Sequence, residues 1–600
     1  MAVVDAVNTI LRALPARWPI PLPVATVAAT LLTLAINSWV TYDMTQDATS
    51  NSEILSLDSK CQFTTFDYII VGGGGAGMVV ATRIANASSS DRILLLEAGG
   101  EPSVLNDIPG LDVYLQNQPG NTWFYNSTPQ ANACQNCDGK KVMTTRGKML
   151  GGSTGTNFMM YVRGNKEDFN RWSTEDLGGD PQWNYENLLP YFKKSEDYNG
   201  IWTSDPDASK YHGKGGLRNV GTNDYMPGAD ELLAAAREKG YTIGDYNGAN
   251  QEVFSKIDLT TQNGWRENTY RAYYKDTGKP SNLCIKKYAQ VIQIKFKTVS
   301  GKPKAVGVIY KRQGLTRTAT ARKEIIMSAG TFGSAQVLML SGVGPADHLE
   351  SLNIPLVKDL PVGQNLQDHT TTLVGPFLKA PSLNPDRDIT AQAAVNYLTT
   401  GNGVLASSDS LAGQGFFKSP VAEPDYADLQ VVHAALALYP ELPHDVNKLF
   451  GIRVDILERW FNPYHTLNTD ARFGLLVLGR PKSFGNLTLA SRNPDDNPIM
   501  DPQYLTHPDD LEAMLFGCEN LVFKSDDYYR CVIRMFSFTL YHHVGTCALG
   551  KVVDSKLKVK GIDGLRVINA SVMPRLPNGN TQAATIMIAE KGSDLIIADM

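Results

Sequence analysis

The stretch FDYIIVGGGGAGMVVATRIANAS, residues 66–88, constrains this chain more than any other. Phe66–Val71 is a short run of aromatic and β-branched residues, which reads as a strand buried on both faces. The glycines GGGGAG follow, and then apolar positions at helical spacing. Strand, glycine turn and helix in that order is the context in which G-x-G-x-x-G binds a dinucleotide. Gly72 permits the tight turn, Gly74 lets backbone approach a pyrophosphate, and Gly77 allows close packing of helix on strand. The helix N-terminus then offers free N–H groups and the positive end of a dipole to the phosphates. A second apolar run, RILLLEAGG, carries Glu97 twenty residues past Gly77, where a carboxylate can hold a ribose hydroxyl. An acid at that place disfavours a 2′-phosphate. The fingerprint alone does not separate NAD from FAD.

The chain has 600 residues, enough for two domains. Net charge is −5, and no basic stripe with interleaved aromatics is present. That argues against a nucleic-acid partner. At the N-terminus, Arg12 and Arg17 precede an uncharged run from Trp18 to Tyr42, most apolar over Val24–Ile36. Basic residues ahead of such a run suit a secretory signal. The run is also long enough to span a bilayer, and no clean A-x-A cleavage site follows. Residues 1–42 are therefore read as a signal peptide or an uncleaved signal-anchor, and 43–63 as a linker. The destination is secretion, or a membrane surface if the anchor is kept.

Seven cysteines fit that route: Cys61, Cys134, Cys137, Cys284, Cys518, Cys531 and Cys547. They form one C-x-x-C and no second such pair, so no four-ligand zinc site is expected, and no other metal. Cys134 with Cys137, and Cys518 with Cys531, are the candidate disulfides. The odd count leaves at least one thiol free. Sequons stand at Asn86, Asn126, Asn486 and Asn569, and only surface ones can carry glycan.

Further motifs decide the cofactor. RGKMLGGSTGTNFMMYVRG (146–164) and SAGTFGSAQVLMLSGVGP (328–345) resemble the two signatures of the glucose-methanol-choline oxidoreductases, a family of FAD enzymes. LPVGQNLQDH (360–369) resembles the segment that follows the second signature. YHHVGTCALG (541–550), GIDGLRVINASVMP (561–574) and NGNTQAATIMIAEK (578–591) resemble its C-terminal motifs. All occur in the family's order over roughly residues 64 to 600. The resemblance implies an α/β fold: a doubly wound FAD-binding domain, 64–362 and 546–600, plus an α+β substrate domain with a large antiparallel sheet, 363–545. The runs VVHAALAL, FGLLVLGR and GNLTLAS in the middle segment read as sheet strands. Gly151, Ser153 and Asn157 match positions that hold FAD in the family. Val291 falls where a valine backbone meets the adenine. Some members bind FAD covalently through a histidine at the position of Thr156, so noncovalent FAD is expected here.

Oxidation of an alcohol by flavin needs a proton acceptor as well as a hydride acceptor, and the protein supplies the first. A histidine suits the task, since its ordinary pKa lies near working pH. The resemblance places the base at His542 and the second catalytic residue at Asn580, whose amide can orient the substrate oxygen. His543, pointing the opposite way along an extended segment, reads as a packing or surface residue. Two departures stand out. The family's usual aspartate in LRVxDAS is Asn569, a sequon within a core motif and expected to be unglycosylated, yet still able to hydrogen bond near the flavin. The usual proline after Asn580 is missing from Gln582-Ala583-Ala584.

The motif wording resembles arthropod members that act on glucose, ecdysteroids, or aromatic and cyanohydrin alcohols. Sugar, steroid and aromatic alcohols therefore all remain candidates, with oxygen or a quinone as acceptor. Phe416, Phe417 and Tyr439 read as core before they read as pocket. Rival readings are a hydroxynitrile lyase of the same fold, with FAD bound but idle, and a non-catalytic family member. Intact His542 and Asn580 count against the second.

Overall fold

The computed structural model describes residues 61–600 except 119, 379–380, 409, 425 and 520–524. The expected signal or anchor at 1–42 and most of the linker lie outside the described residues. Among the described residues no helix is long and apolar enough to cross a membrane.

The first sheet grows from β1 (Thr65–Val71), α1 (Gly75–Ala87) and β2 (Ile93–Leu96). This is the strand–turn–helix–strand unit expected from the glycine run. β1 is buried at every position from Phe66 to Val71, so both its faces are covered, as its apolar composition requires. Gly77 sits where α1 crosses the turn. A Cβ there would lie 1.9 Å from the Gly72 carbonyl oxygen, so no larger residue fits without moving the helix. Five more strands complete the sheet: β3 (Leu283–Lys286), β4 (Ala289–Val299), β5 (Lys302–Arg312), β6 (Leu315–Met327) and β7 (Leu565–Val567). Their order is β3-β2-β1-β6-β5-β4, with β7 also on β6. β3, β2, β1, β6 and β7 run parallel, while β4, β5 and β6 form an antiparallel meander. β6 has 13 residues, long enough to pair β5 with its first half and β7 with its end. α2 (Gly330–Leu340) follows it, and α3 (Gln582–Ala598) returns the chain to pack on α1.

The second sheet is antiparallel and has six strands. Its order is Phe538–Thr539, Thr370–Leu378, Ala471–Leu478, Leu429–Ala434, Leu411–Phe417, Phe254–Lys256. The runs VVHAALAL and FGLLVLGR supply central strands. The run GNLTLAS supplies Gly485–Thr488 to a separate three-stranded sheet. The edge strand Phe254–Lys256 comes from within 64–362. Three residues carry no pattern that says which sheet they will join. Phe416 and Phe417 are core, and Tyr439 is buried but also lines the cavity described below.

The cysteine pairing differs from expectation. Cys134–Cys137 is a disulfide, and the second bridge is Cys61–Cys284, which ties the chain ahead of β1 to β3. The expected Cys518–Cys531 bridge is not formed: Cys518 is buried and Cys531 is exposed. Each sits on its own helix, Pro508–Glu519 and Asp526–Phe536. Helix packing sets where the two thiols point, and loop length does not. Of the sequons, Asn86 and Asn126 are exposed, and Asn569 is buried.

Candidate active site

A cavity of about 490 Å³ is lined by residues of both sheets. Gly72, Gly74, Glu97 and Val291 reach it from the first sheet and its turn; Ser153 and Asn157 reach it from the loop after Gly147. His542, Asn569 and Asn580 complete this set. Gly77 and Gly151 stand behind the lining. Gly151 donates its N–H to the Gly73 carbonyl, 2.8 Å, which docks the first signature loop on the glycine turn. Only the Gly152 Cα lies within 4 Å of where a Gly74 Cβ would stand, at 3.8 Å, so bare backbone faces the cavity there.

This lining fits a dinucleotide. α1 has no side-chain N-cap and no acidic residue in its first turn, so its N–H groups are free for a pyrophosphate. Glu97 accepts from Gly73 N–H at 2.7 Å and from Gly99 N–H at 2.8 Å, which aims its carboxylate along the cavity wall. Burial lifts that carboxyl to about 7 against the pull of the two N–H donors. Arg266 holds Asn157, donating to its side-chain oxygen at 2.8 Å and to its carbonyl at 2.6 Å. α3 also begins without a side-chain cap, and Thr581 and Gln582 at its start line the cavity. Two helix N-termini therefore open on one chamber. The Asn569 amide donates to Met327 O and to Ser334 Oγ, both at 3.0 Å, and accepts from Ser571 N–H at 2.9 Å. It ties the end of β6 to α2 and to the turn after β7.

The His542 segment is fastened from three sides. Its N–H donates to Asp368 Oδ1 at 2.8 Å. The next carbonyl, of His543, accepts from Thr331 Oγ1 at 2.7 Å, and Thr546 Oγ1 donates to Thr331 O at 2.6 Å. Gln367 and Val544 exchange backbone hydrogen bonds. The 360–369 stretch thus lies directly against 541–546. His543 is buried away from the cavity, edge-on to Phe332 with ring centroids 5.0 Å apart. Its Nε2 lies 3.4 Å from Asp368 Oδ2. It is a packing residue.

His369, which sequence reasoning did not single out, sets the state of His542. His369 Nε2 lies 3.0 Å from the Gly479 carbonyl, which can only accept, so that nitrogen carries hydrogen. Burial lowers the His369 pKa to about 4, so the ring is neutral and its Nδ1 is bare. That Nδ1 lies 2.8 Å from His542 Nδ1, which must then be the donor. His542 Nε2 is left as an acceptor, 3.2 Å from the Asn580 amide nitrogen. Burial, then His369, Arg146 and His543, hold the His542 pKa well below its ordinary value. Arg146 lines the cavity and donates to the Tyr541 carbonyl. Asp368 and His369 end the LPVGQNLQDH segment, 360–369, but nothing in a linear sequence says that residues 173 apart meet.

The chain matches GMC oxidoreductase over residues 66–371 and, through the C-terminal part of that family, over 517–589. It belongs to the GMC oxidoreductases. Glucose dehydrogenase (FAD, quinone) of Drosophila melanogaster is 32% identical over 570 residues, 88% of this chain and 86% of the relative. Ecdysone oxidase of Bombyx mori is 34% identical over 567 residues, 88% and 81%. Alcohol dehydrogenase (acceptor) of Pseudomonas putida is 34% identical over 567 residues, 89% and 96%. Among solved structures, a formate oxidase superposes with a TM-score of 0.74 at 25% identity, covering 89% of this chain and 98% of that one. This GMC oxidoreductase is therefore an FAD-dependent enzyme acting on alcohol-type donors.

Proposed function

We propose that the enzyme oxidises a CH–OH group to a carbonyl, with His542 as proton acceptor and Asn580 as the group that orients the hydroxyl. The observation that carries this is the bare His542 Nε2, facing the cavity 3.2 Å from the Asn580 amide. A substrate hydroxyl that displaces this direct contact accepts from Asn580 Nδ2 and donates to His542 Nε2. FAD, when bound, supplies the hydride acceptor. His369 keeps the Nδ1 hydrogen of His542 engaged, so the incoming proton goes to Nε2. The depressed pKa of His542 then favours release of that proton before the next turnover.

Gly72, Gly74 and the start of α1 would hold the pyrophosphate, Glu97 the ribose, and the Val291 backbone the adenine. Gly151, Ser153, Asn157 and Asn569 would shape the flavin end, with the positive end of α3 meeting negative charge there. Thr156 lines the cavity where a covalent link would need a histidine, which supports noncovalent FAD. The electrons leave to oxygen or to a quinone. The disulfides Cys61–Cys284 and Cys134–Cys137 fit passage through an oxidising compartment, in keeping with a secretory N-terminus.

Anaerobic mixing with an alcohol tests the reading. The yellow flavin should bleach with a matching alcohol, and air should restore the colour only if oxygen is the acceptor. His542→Ala should retain FAD and lose about 10²- to 10⁴-fold in bleaching rate. A variant that bleaches as fast as the parent would remove His542 from the chemistry.

A further inference from the structure

The part of the cavity that does not face the flavin-binding glycines has an unusual inner surface. Two rows of side chains project from the antiparallel sheet. Leu373, Leu475 and Val432 lie opposite one another across three neighbouring strands. Phe473, Ala434 and Leu411 form the next row but one, in register on the same face, as the two-residue period of a strand requires. All six line the cavity, and none carries a hydrogen-bonding group. The helix Leu442–Phe450 closes the other side. Its Leu442, Val446 and Leu449 fall at i, i+4 and i+7 and also line the cavity.

The polar exception on this helix is Asp445, and it is already engaged. The Tyr439 hydroxyl donates to Asp445 Oδ2 at 2.6 Å, and burial raises the carboxyl pKa. Of the other polar lining residues, Arg146 donates to the Tyr541 carbonyl beside His542, and Gln116 donates to the Thr156 carbonyl. The catalytic segment joins the apolar wall directly: Tyr541 stacks with Phe450 at 6.4 Å between centroids, and the Asn580 amide nitrogen lies 3.9 Å from Met160 Sδ.

A sugar in this chamber would give up water at every hydroxyl and gain a partner at one or two. Each buried hydroxyl without a partner weakens binding by about 5- to 150-fold. A hydrocarbon body gains instead from each methylene it brings. Resting on the alcohol oxidation proposed above, we infer that the substrate is an alcohol with an extended apolar body, and that the sheet face centred on Ala434 selects it. The hydroxyl to be oxidised sits between His542 and Asn580, and the body lies along the two rows. Ala434 is the smallest residue of its row, flanked by Phe473 and Leu411, and so sets how far the body can sink toward the sheet.

The test is anaerobic flavin bleaching by the full-length holoenzyme with three probes: 1-decanol, ethanol and glucose. Decanol should exceed ethanol in second-order bleaching rate by about fourfold for each methylene that the chamber accommodates. Glucose should be the poorest of the three. In Ala434→Phe the decanol-to-ethanol ratio should collapse, and because both rates come from one preparation a folding defect cancels. Glucose bleaching as efficiently as decanol would overturn the substrate class while leaving the alcohol oxidation standing. An unchanged ratio in Ala434→Phe would overturn the selecting role of the sheet face. Bleaching by no alcohol of any kind would sink the oxidation reading, and this inference with it.

Discussion

His369 Nδ1 lies 2.8 Å from His542 Nδ1, and this contact decides which nitrogen of His542 is bare. The relay ends on the Gly479 carbonyl, whose inability to donate fixes the direction of every hydrogen bond before it. His369 is a positioning residue on this argument, since it reaches the cavity only through His542. His369→Ala would strand a buried N–H and free the His542 ring to take the wrong tautomer. The expected cost is about 5- to 150-fold in flavin reduction rate, with KM and FAD content little changed. His369→Asn puts an amide oxygen near the lost acceptor and should recover part of the rate. Equal losses in both variants, or a loss carried wholly by FAD content, would make His369 structural only.

The same environment predicts the pH dependence. Protonating His542 abolishes the base, and its pKa is held well below the ordinary histidine value, first by burial. Anaerobic flavin reduction should therefore be flat through neutral pH and should fall only on the acid side, below the usual histidine range. The slope there should be that of one proton. Arg146→Gln removes a cation that disfavours the protonated ring, so the acid limb should move to higher pH. A limb centred at or above the usual histidine pKa in the parent enzyme would contradict the depressed base.

Asn569 marks a departure that the structure turns into a requirement. Its amide donates to the Met327 carbonyl at 3.0 Å, a bond that an ionised aspartate cannot make. Asn569→Asp sets two acceptors against each other in a buried place, at a cost of about 1–3 kcal/mol. Protonating the new carboxyl restores a donor. Its pKa is thus raised in the folded state, and the stability it contributes is present at low pH and lost as pH rises. The gap in thermal midpoint between variant and parent should narrow as pH falls. A gap that widens on the acid side would show that the Met327 contact is not what the amide serves.

The glycine run, its flanking strands and Glu97 were legible because each is a local demand. A tight turn needs Gly72, and α1 cannot pack on the turn with a Cβ at position 77. His542 and Asn580 were legible only through resemblance, since a histidine in a linear sequence does not announce its partners. What stayed hidden was long-range. The His369 contact, the Cys61–Cys284 bridge and the edge strand Phe254–Lys256 each join segments far apart in sequence. None has a period or spacing to reveal it. The apolar chamber lay in plain view as alternating residues at 432 and 434 and at 473 and 475, but alternation alone cannot tell a face that packs on core from one that faces a ligand.

Glu97 offers a last check, on cofactor binding apart from turnover. Its carboxyl, lifted to about 7 by burial, is engaged by two backbone donors and borders the cavity. The ionised form is the better acceptor for a ribose hydroxyl, because a protonated carboxyl gives up one of its accepting oxygens. FAD affinity of the apoprotein should therefore strengthen as pH rises through about 7 and level off above it. Glu97→Gln cannot ionise and keeps only one accepting oxygen. It should bind FAD about 5- to 150-fold more weakly at high pH, with the pH step gone. Flavin fluorescence quenching over a pH series measures both quantities. A step that persists in Glu97→Gln would assign the titration to another group and leave the ribose without its proposed anchor.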